Sequence, residues 1–414
     1  MQSTPAQARI RDKMCAACVF GVTGGIAAAK ASLVASALTK RGVDVQVIMT
    51  KSACEFVAPL TYRTLTGNPV SIDLFAEPGQ WNVKHVSLSE AADLFVIAPA
   101  TANFIGKLAS GIADDLLTTT VMATRAPVLI APAMNVGMYA NPIVQRNIES
   151  LKSLGRRFIG PECGRLACGD VGVGRMAEPD RITEFAMHML ASKGRPALVG
   201  RRVVVTAGPT HEHIDPVRFI GNRSSGKMGY AIAWAAGARG AEVTLVSGPV
   251  ALDRPEGCEL LMVESAAQMR EATIKAAREA DIVIGAAAVA DYRPAHYNES
   301  KIKKSDGEMN LELARTSDII AEIGRAKGNR TVVGFAAETD DIIAHAQSKL
   351  DAKNLDMVVV NAVGGPSSPF GADENTVTIL RPGLEPEALP SMTKLTLAHE
   401  ILDRVCLSLG PKRG

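Results

Sequence analysis

Aromatic residues supply only 4% of this 414-residue chain, which argues against an aromatic-rich sandwich and against a surface that stacks bases. An excess of either charge is also missing, with 45 Lys and Arg against 43 Asp and Glu and a net charge of +2. The longest basic block, Lys301-Ile302-Lys303-Lys304, is too short for the clustered footprint of a nucleic-acid binder. Cysteine is sparse and odd in number, seven in all. That excludes a disulfide framework and suits reduced thiols in a cytoplasmic setting. Cys15 and Cys18 make one CxxC without a second pair to complete a tetrahedral site, so they read as small residues on a buried strand. No apolar run approaches the ~18 residues of a membrane span. The basic-then-apolar stretch at residues 9–29 imitates a signal peptide, but Thr23-Gly24-Gly25 interrupts it and its removal would delete a first strand. Neither GxGxxG nor GxxxxGK[ST] occurs, which argues against a dinucleotide fingerprint and a Walker-type NTPase.

What is present is an ordinary globular mixture, 47% hydrophobic and 21% charged, with 36 glycines. At ~150 residues per domain, two or three domains are expected. Residues 18–22 (CVFGV) read as a strand ending in a glycine turn, and 26–40 as the following helix. Further strands are expected at 43–49, 94–98 and 128–131, with a helical stretch over 103–123. The plan then restarts: strand 203–208, helix 227–239, strand 241–246 and strand 281–288. Strands alternating with helices imply parallel sheets covered on both faces. The fold class is therefore α/β, with two doubly wound, Rossmann-like domains. We place them at residues 1–190 and 201–414, joined by a Gly- and Pro-containing linker at 191–200.

Open α/β sheets bind ligands at the carboxyl ends of their strands. Four segments of the first half fall there: 21–25 (GVTGG), 98–103 (APATAN), 131–135 (APAMN) and the Gly-rich 164–176 (GRLACGDVGVGRM), which reads as a mobile flap. By itself Cys168 in that flap could be a packed small side chain. His85 could be a surface or capping residue. Asn135 could orient a carboxylate or cap the next helix.

Together GVTGGIAAAK, HVSL, APATANFIGKLASGIADDLLTT, APAMN and GRLACGDVGVGRMAEP resemble the flavoprotein family of homo-oligomeric cysteine decarboxylases, in its phosphopantothenoylcysteine decarboxylase branch. The resemblance spans nearly all of residues 15–190. It implies FMN bound by Gly24, Gly25, Thr50, Ala100, Thr101, Ala102 and Asn103, and catalytic roles for His85, Asn135 and Cys168. Thr23 stands where many members carry Ser. Flavin suits the chemistry, because an acylated amine cannot form a Schiff base and decarboxylation needs another electron sink.

In the second half, VVVTAGPTHEHIDPVRFIGNRSSGKMGYAIA, AAAVADYRP, KIKK, VGFAAET and KNLDMVVVN are similar to the bacterial phosphopantothenate–cysteine ligase domain. By that resemblance Asn222 and Lys301 are catalytic. Asp291, Lys301, Ser317, Asp318, Ile319, Phe335, Lys349 and Lys353 contact the nucleotide, which in bacterial members is CTP with Mg2+. Thr316-Ser317-Asp318-Ile319 departs from the Asn-Pro-Asp-Ile common in the family.

The fused resemblance is to bifunctional coenzyme A biosynthesis proteins. It implies ligation of 4′-phosphopantothenate to cysteine and decarboxylation of the product. It also implies a cytoplasmic homo-oligomer, a dodecamer of decarboxylase trimers and ligase dimers, with no nucleic-acid or membrane partner. Two rival readings are a two-domain nicotinamide-dependent dehydrogenase and a non-catalytic flavoprotein that serves as a regulatory partner.

Overall fold

The computed structural model describes residues 16–75, 84–167, 169–195, 197–303, 309–338, 341–362 and 372–409. It divides into two compact units, Met1–Lys193 and Gly194–Gly414.

In the first unit, six strands run parallel, the central ones from apolar segments: β1 (Ala17–Val22), β2 (Asp44–Met49), β3 (Val70–Ser71), β4 (Leu94–Ala100), β5 (Val128–Pro132) and β6 (Arg157–Phe158). Their order is β3-β2-β1-β4-β5-β6. Helices α1 (Ala28–Lys40), α2 (Lys51–Cys54), α3 (Pro59–Thr66), α4 (Lys84–Ala91), α5 (Ala102–Ala109), α6 (Leu116–Ala123), α7 (Val136–Tyr139), α8 (Pro142–Ser153) and α9 (Pro179–Ala191) connect the strands and follow them. Along β1 and β4, alternate residues point to opposite faces. Val19, Phe95 and Ile97 join a core built with Phe104, Leu108, Leu117 and Ile148. Packing on both faces is what makes these strands near-continuous apolar runs.

The expected helix over residues 103–123 is two helices, α5 and α6. Gly111 takes a left-handed φ of +72° after α5, and Asp115 starts α6 with a capping box, its carboxylate accepting from Thr118 N–H while the Thr118 hydroxyl reaches back to the Asp115 backbone. The Gly-rich segment after β6 is an antiparallel hairpin, β7 (Glu162–Arg165) and β8 (Val171–Arg175), rather than an irregular loop. Cys18 is buried on β1, where desolvation pushes its thiol up to about 12. Cys15 lies outside the described residues.

The second unit repeats the plan with additions. Strands β9 (Arg202–Ala207), β12 (Glu242–Ser247), β13 (Cys258–Met262), β14 (Ile282–Gly285), β17 (Thr331–Glu338) and β18 (Met357–Ala362) run parallel. Strands β20 (Val377–Leu380) and β21 (Glu387–Ala388) extend the edge antiparallel, which the repeated βα pattern did not foresee. The sheet order is β13-β12-β9-β14-β17-β18-β20-β21. Small two-stranded ladders are β10 (His211–His213) with β11 (Phe219–Gly221), β15 (Tyr292–Pro294) with β16 (Leu313–Arg315), and β19 (Glu374–Asn375) with β22 (Met392–Thr393). Helices α10 (Lys227–Ala238) and α14 (Lys394–Leu407) contribute to the core on one face of the sheet. Helices α11 (Ala266–Ala277), α12 (Ile319–Arg325) and α13 (Ile342–Ala352) contribute to the core on the other.

Strand order reverses between β1 and β4 in the first unit and between β9 and β14 in the second. Each reversal splays the following connections apart and leaves a crevice at the strand carboxyl ends.

One buried group yields a stability prediction. His188 on α9 is held at about 3, chiefly because burial penalises the imidazolium and secondarily because the Arg41 charge opposes it. Below pH ~6.5 the unfolded chain takes a proton that the folded chain refuses, so this residue lowers stability as pH falls from there towards 3. At pH 5 the loss relative to pH 7.5 is about 2 kcal/mol from this residue alone. His188→Gln is expected to shrink the difference in chemical-unfolding stability between those pH values; an unchanged difference would refute the argument.

Two candidate active sites

In the first unit the β1–β4 crevice opens into a cavity of about 960 Å³. Thr23, the last residue of the first turn to be buried, ties its two walls together. Its hydroxyl donates to the Pro99 carbonyl at 2.7 Å and accepts from Thr101 N–H at 3.0 Å. Gly24, Gly25, Ile26 and Ala27 line the cavity just before α1, whose Ala27 N-cap provides no side-chain acceptor for the first amides. A side chain at Gly24 would collide with Ser52, so only glycine lets these two turns meet. Thr50 and Thr101 start α2 and α5 by accepting from Ala53 N–H and Phe104 N–H. Three helix N-termini therefore converge on one space, an arrangement suited to an anion.

Gly24, Gly25, Thr50, Thr101, Ala102, Asn103 and Asn135 all line this cavity. Ala100 does not: it is fully buried in β4 and its carbonyl already accepts from Ala133 N–H at 3.0 Å. His85 is partly buried on α4 and is not among the lining residues. Cys168 lies outside the described residues, although Ala167 before it lines the cavity.

Asn135 caps α7, its Oδ1 accepting from Gly137 N–H at 2.8 Å, while its Nδ2 donates to Asp170 Oδ2 at 2.9 Å. The β7–β8 hairpin is thereby held against the 134–136 segment. Met134 N–H also donates to the Gly174 carbonyl at 3.0 Å. Side chains at Gly172 and Gly174 would strike Val136 and the Met134 carbonyl. These glycines, two apart on one face of β8, serve close approach more than hinge freedom. At the hairpin base, Glu162 pairs with Arg175 at 3.0 Å and Arg181 at 2.7 Å, and Glu178 pairs with Lys30 at 2.7 Å. Burial pushes the Glu162 carboxyl up, but the Glu178 N–H and the two guanidiniums outweigh it and hold it below the usual range.

The second unit has a cleft of about 930 Å³ at its own reversal. Thr206 and Thr210 act there as Thr23 does in the first, accepting from Ala287 N–H at 3.2 Å and Ala290 N–H at 3.0 Å. Asn222, Asp291, Ser317, Asp318, Ile319, Phe335, Lys349 and Lys353 all line it. Lys301 does not; it is exposed on the chain that follows β15. Asn222 donates to the Val289 carbonyl at 2.9 Å, which brings the end of the β10–β11 hairpin to the β14 side. Asp318 caps α12 and pairs with Lys353 at 2.8 Å. Burial raises the Asp318 carboxyl, yet the Lys353 hydrogen bond and the Ala321 N–H prevail and the net direction is down. Gly324 on α12 packs so closely on the Lys353 carbonyl that no Cβ would fit.

Two lysines stand out that the sequence reading had not assigned. Lys227, first in α10, pairs with Asp373 at 2.6 Å. Lys394, first in α14, is 8% exposed and donates to the Ala372 carbonyl. Burial and the neighbouring Lys227 charge push its ammonium down. Lys394 stands at the start of the buried face of α14, in helical register with Leu397, Ala398 and Ile401, a place ordinarily given to an apolar residue.

Residues 8–191 match the family model described as Flavoprotein, and residues 198–408 match the DNA/pantothenate metabolism flavoprotein C-terminal domain. The coenzyme A biosynthesis bifunctional protein CoaBC of Bacillus subtilis (strain 168) is 52% identical over 385 residues, 93% of this chain and 95% of that one. This chain belongs to the family of bifunctional coenzyme A biosynthesis proteins. It is thus a two-activity enzyme, a flavoprotein decarboxylase joined to a ligase. A cysteine/cysteine sulfinic acid decarboxylase from an unknown prokaryotic organism is 49% identical over 355 residues, 84% of this chain and 98% of that one. A solved C-terminal domain of a coenzyme A biosynthesis bifunctional protein CoaBC is 44% identical, with a TM-score of 0.44, covering 50% of this chain and 95% of that chain.

Proposed function

We propose that the second unit joins 4′-phosphopantothenate to cysteine at the expense of CTP, and that the first unit decarboxylates the product with FMN to give 4′-phosphopantetheine. The observation that carries this reading is the pair of crevices in one chain, each at a strand reversal and each furnished for an anion. In the first, the uncapped α1 N-terminus and the side-chain-free Gly24 and Gly25 fit a flavin phosphate. When bound, FMN would accept two electrons from the substrate thiol and leave a thioaldehyde beta to the carboxylate, from which CO₂ departs readily.

The chain's own residues orient the substrate. Asn135 presents an amide N–H beside the cavity to the departing carboxylate, and the hairpin covers it from water. By family resemblance His85 handles the substrate or its thiol proton, and Cys168 supplies a proton late in the cycle. His85 reaches that role only if the substrate extends beyond the lining described above.

In the ligase unit, a carboxylate oxygen must first become a leaving group, which attack on the α-phosphate of CTP provides as an acyl-cytidylate with release of pyrophosphate. Lys227, Lys349, Lys353 and Lys394 line the cleft and offset the charge of a triphosphate. Among the described residues no group of three or more His, Cys, Asp or Glu converges on a metal position. Mg2+ held mainly by phosphate oxygens, with Asp291 nearby, fits that donor set. Asn222 would hold the acyl-cytidylate, and Lys301 would offset charge as the cysteine amine displaces CMP.

We place the chain in the cytoplasm as a homo-oligomer. No helix among the described residues is long and apolar enough to cross a membrane. The first cavity's rim carries exposed Ile26, Phe75 and Met138, apolar surface that a neighbouring subunit would cover in a trimer. Pairing of ligase units would then close a dodecamer.

The experiment is an assay of the purified, yellow protein with 4′-phosphopantothenate, cysteine and CTP, followed by mass spectrometry. CMP, pyrophosphate, CO₂ and 4′-phosphopantetheine are expected. Decarboxylation of free cysteine in preference to the phosphopantothenoyl amide would refute the substrate assignment, and equal use of ATP would refute the nucleotide assignment.

A further inference from the structure

The insert at residues 211–223 has no counterpart in the first unit, and its middle is occupied by an ionisable group with no obvious place in the chemistry. Asp215, between β10 and β11, is fully buried. Its Oδ1 accepts from the N–H groups of Val217 and Arg218, both at 2.8 Å. Its Oδ2 reaches 87 residues along the chain to accept from Ile302 N–H at 3.1 Å. Arg218 donates through Nη2 to the carbonyl of the same Ile302 at 3.0 Å, and the Ile214 carbonyl accepts from Asn298 N–H at 3.0 Å.

Both peptide groups of Ile302 are therefore held by the insert, and Lys301 is the residue immediately before it. Lys301 has an exposed side chain and lies outside regular secondary structure. A lysine on such a segment has many backbone states to lose before it can act, and a catalytic group misplaced by about 1 Å can lose as much as 10²-fold in rate. Desolvation pushes the Asp215 carboxyl up, but the three backbone N–H groups and Arg218 outweigh it and keep it ionised at neutral pH. It thus remains an acceptor for all three amides.

We infer that Asp215, with Arg218, is a positioning residue of the ligase half: it fixes the Ile302 peptide and thereby sets where Lys301 stands when amide formation takes place. The inference rests on the proposed role of Lys301.

The test uses the full chain in single turnover with 4′-phosphopantothenate, CTP and cysteine, scoring pyrophosphate release and amide formation separately. Asp215→Asn keeps the shape but turns an NH₂ towards amide donors. It is expected to slow amide formation on the order of 10-fold. Decarboxylation of supplied phosphopantothenoylcysteine by the same chain should stay within about two-fold, since that reaction does not use the segment. Added to Lys301→Gln, the substitution should cause no further loss, because a group that acts through Lys301 has nothing left to act on. Arg218→Met alters a half-exposed side chain, freeing the Ile302 carbonyl and removing the 3.8 Å ion pair with Asp215 while leaving the three backbone N–H bonds to that carboxylate in place, so it reports on the segment even if Asp215→Asn fails to fold, and a smaller defect of the same kind is expected.

Normal amide formation in both variants, or losses that multiply with Lys301→Gln, would overturn the inference while leaving the ligase reading intact. Loss of both activities in Asp215→Asn beside a normal Arg218→Met would overturn it as well, showing Asp215 to be structural only. Full ligase activity in Lys301→Gln would instead remove the underlying role of Lys301, and the inference with it.

Discussion

Asn135→Asp is expected to reduce decarboxylation by roughly 10³-fold while sparing the ligase reaction of the same chain. The substitution preserves the α7 cap, because an aspartate oxygen can still accept from Gly137 N–H. What changes is the other end of the side chain, where a donor 2.9 Å from Asp170 becomes a second carboxylate oxygen. Two effects then add. The hairpin loses a hydrogen bond that holds it against the 134–136 segment, and, on the proposed role of Asn135, the substrate carboxylate meets a like charge in place of an N–H. Asn135→Ala removes the donor and the cap without adding charge, so its loss should be smaller. In an anaerobic single turnover, Asn135→Asp should neither release CO₂ nor bleach the flavin. Cys168→Ser, if that residue is the late acid, should do both once and then stall with an oxidised product. Turnover of Asn135→Asp within tenfold of the parent would show that Asn135 does not hold the carboxylate.

The second large effect is expected at Lys353. Replacement by Met removes an ammonium from the ligase cleft and leaves the Asp318 carboxylate, 2.8 Å away, without its partner. If the cleft takes a nucleoside triphosphate as proposed, the loss of one positive charge is compounded by an uncovered negative one. We expect kcat/KM for CTP to fall on the order of 10²-fold, mainly through KM, with decarboxylation unchanged. Asp318 is roughly half exposed, so solvent screens much of the interaction and the effect should weaken at high salt. Lys353→Met combined with Asp318→Asn should recover part of the loss, since the neutral amide can still cap α12. No recovery in the double variant, measured by initial rates over a CTP series, would mean that the uncovered carboxylate contributes nothing.

Much of this architecture is legible in the residue order for simple reasons. The apolar runs at residues 18–22, 94–98 and 203–207 are short, lack polar alternation and end in glycine or Ala-Pro turns, which is the pattern of strands buried on both faces. Helix interruption was harder to read. The 103–123 stretch keeps helical periodicity through Ser110 and Gly111, and the break comes from a left-handed glycine followed by the Asp115 cap. The antiparallel edge formed by β20 and β21 escaped notice because a chain's direction within a sheet leaves little local trace once the strands are only two to four residues long.

By itself the sequence determined the α/β class, the repetition of a strand–glycine–helix plan and the chemical character of the segments that follow the strands. All three depend on interactions between residues within about four positions of one another or on periodic burial, and both are written in residue order. Only the tertiary structure decided which of those segments face one space. Asn135 meets Asp170, Asp318 meets Lys353, and Asp215 takes hold of Ile302 because strand order reverses at β1/β4 and β9/β14, and because the glycines at 174 and 324 permit contacts that any side chain would block. It likewise left Ala100 buried and placed Lys394 at the ligase cleft. Such pairings join residues tens of positions apart whose separations follow loop length rather than any period, so their physical cause exists only once the sheets have assembled.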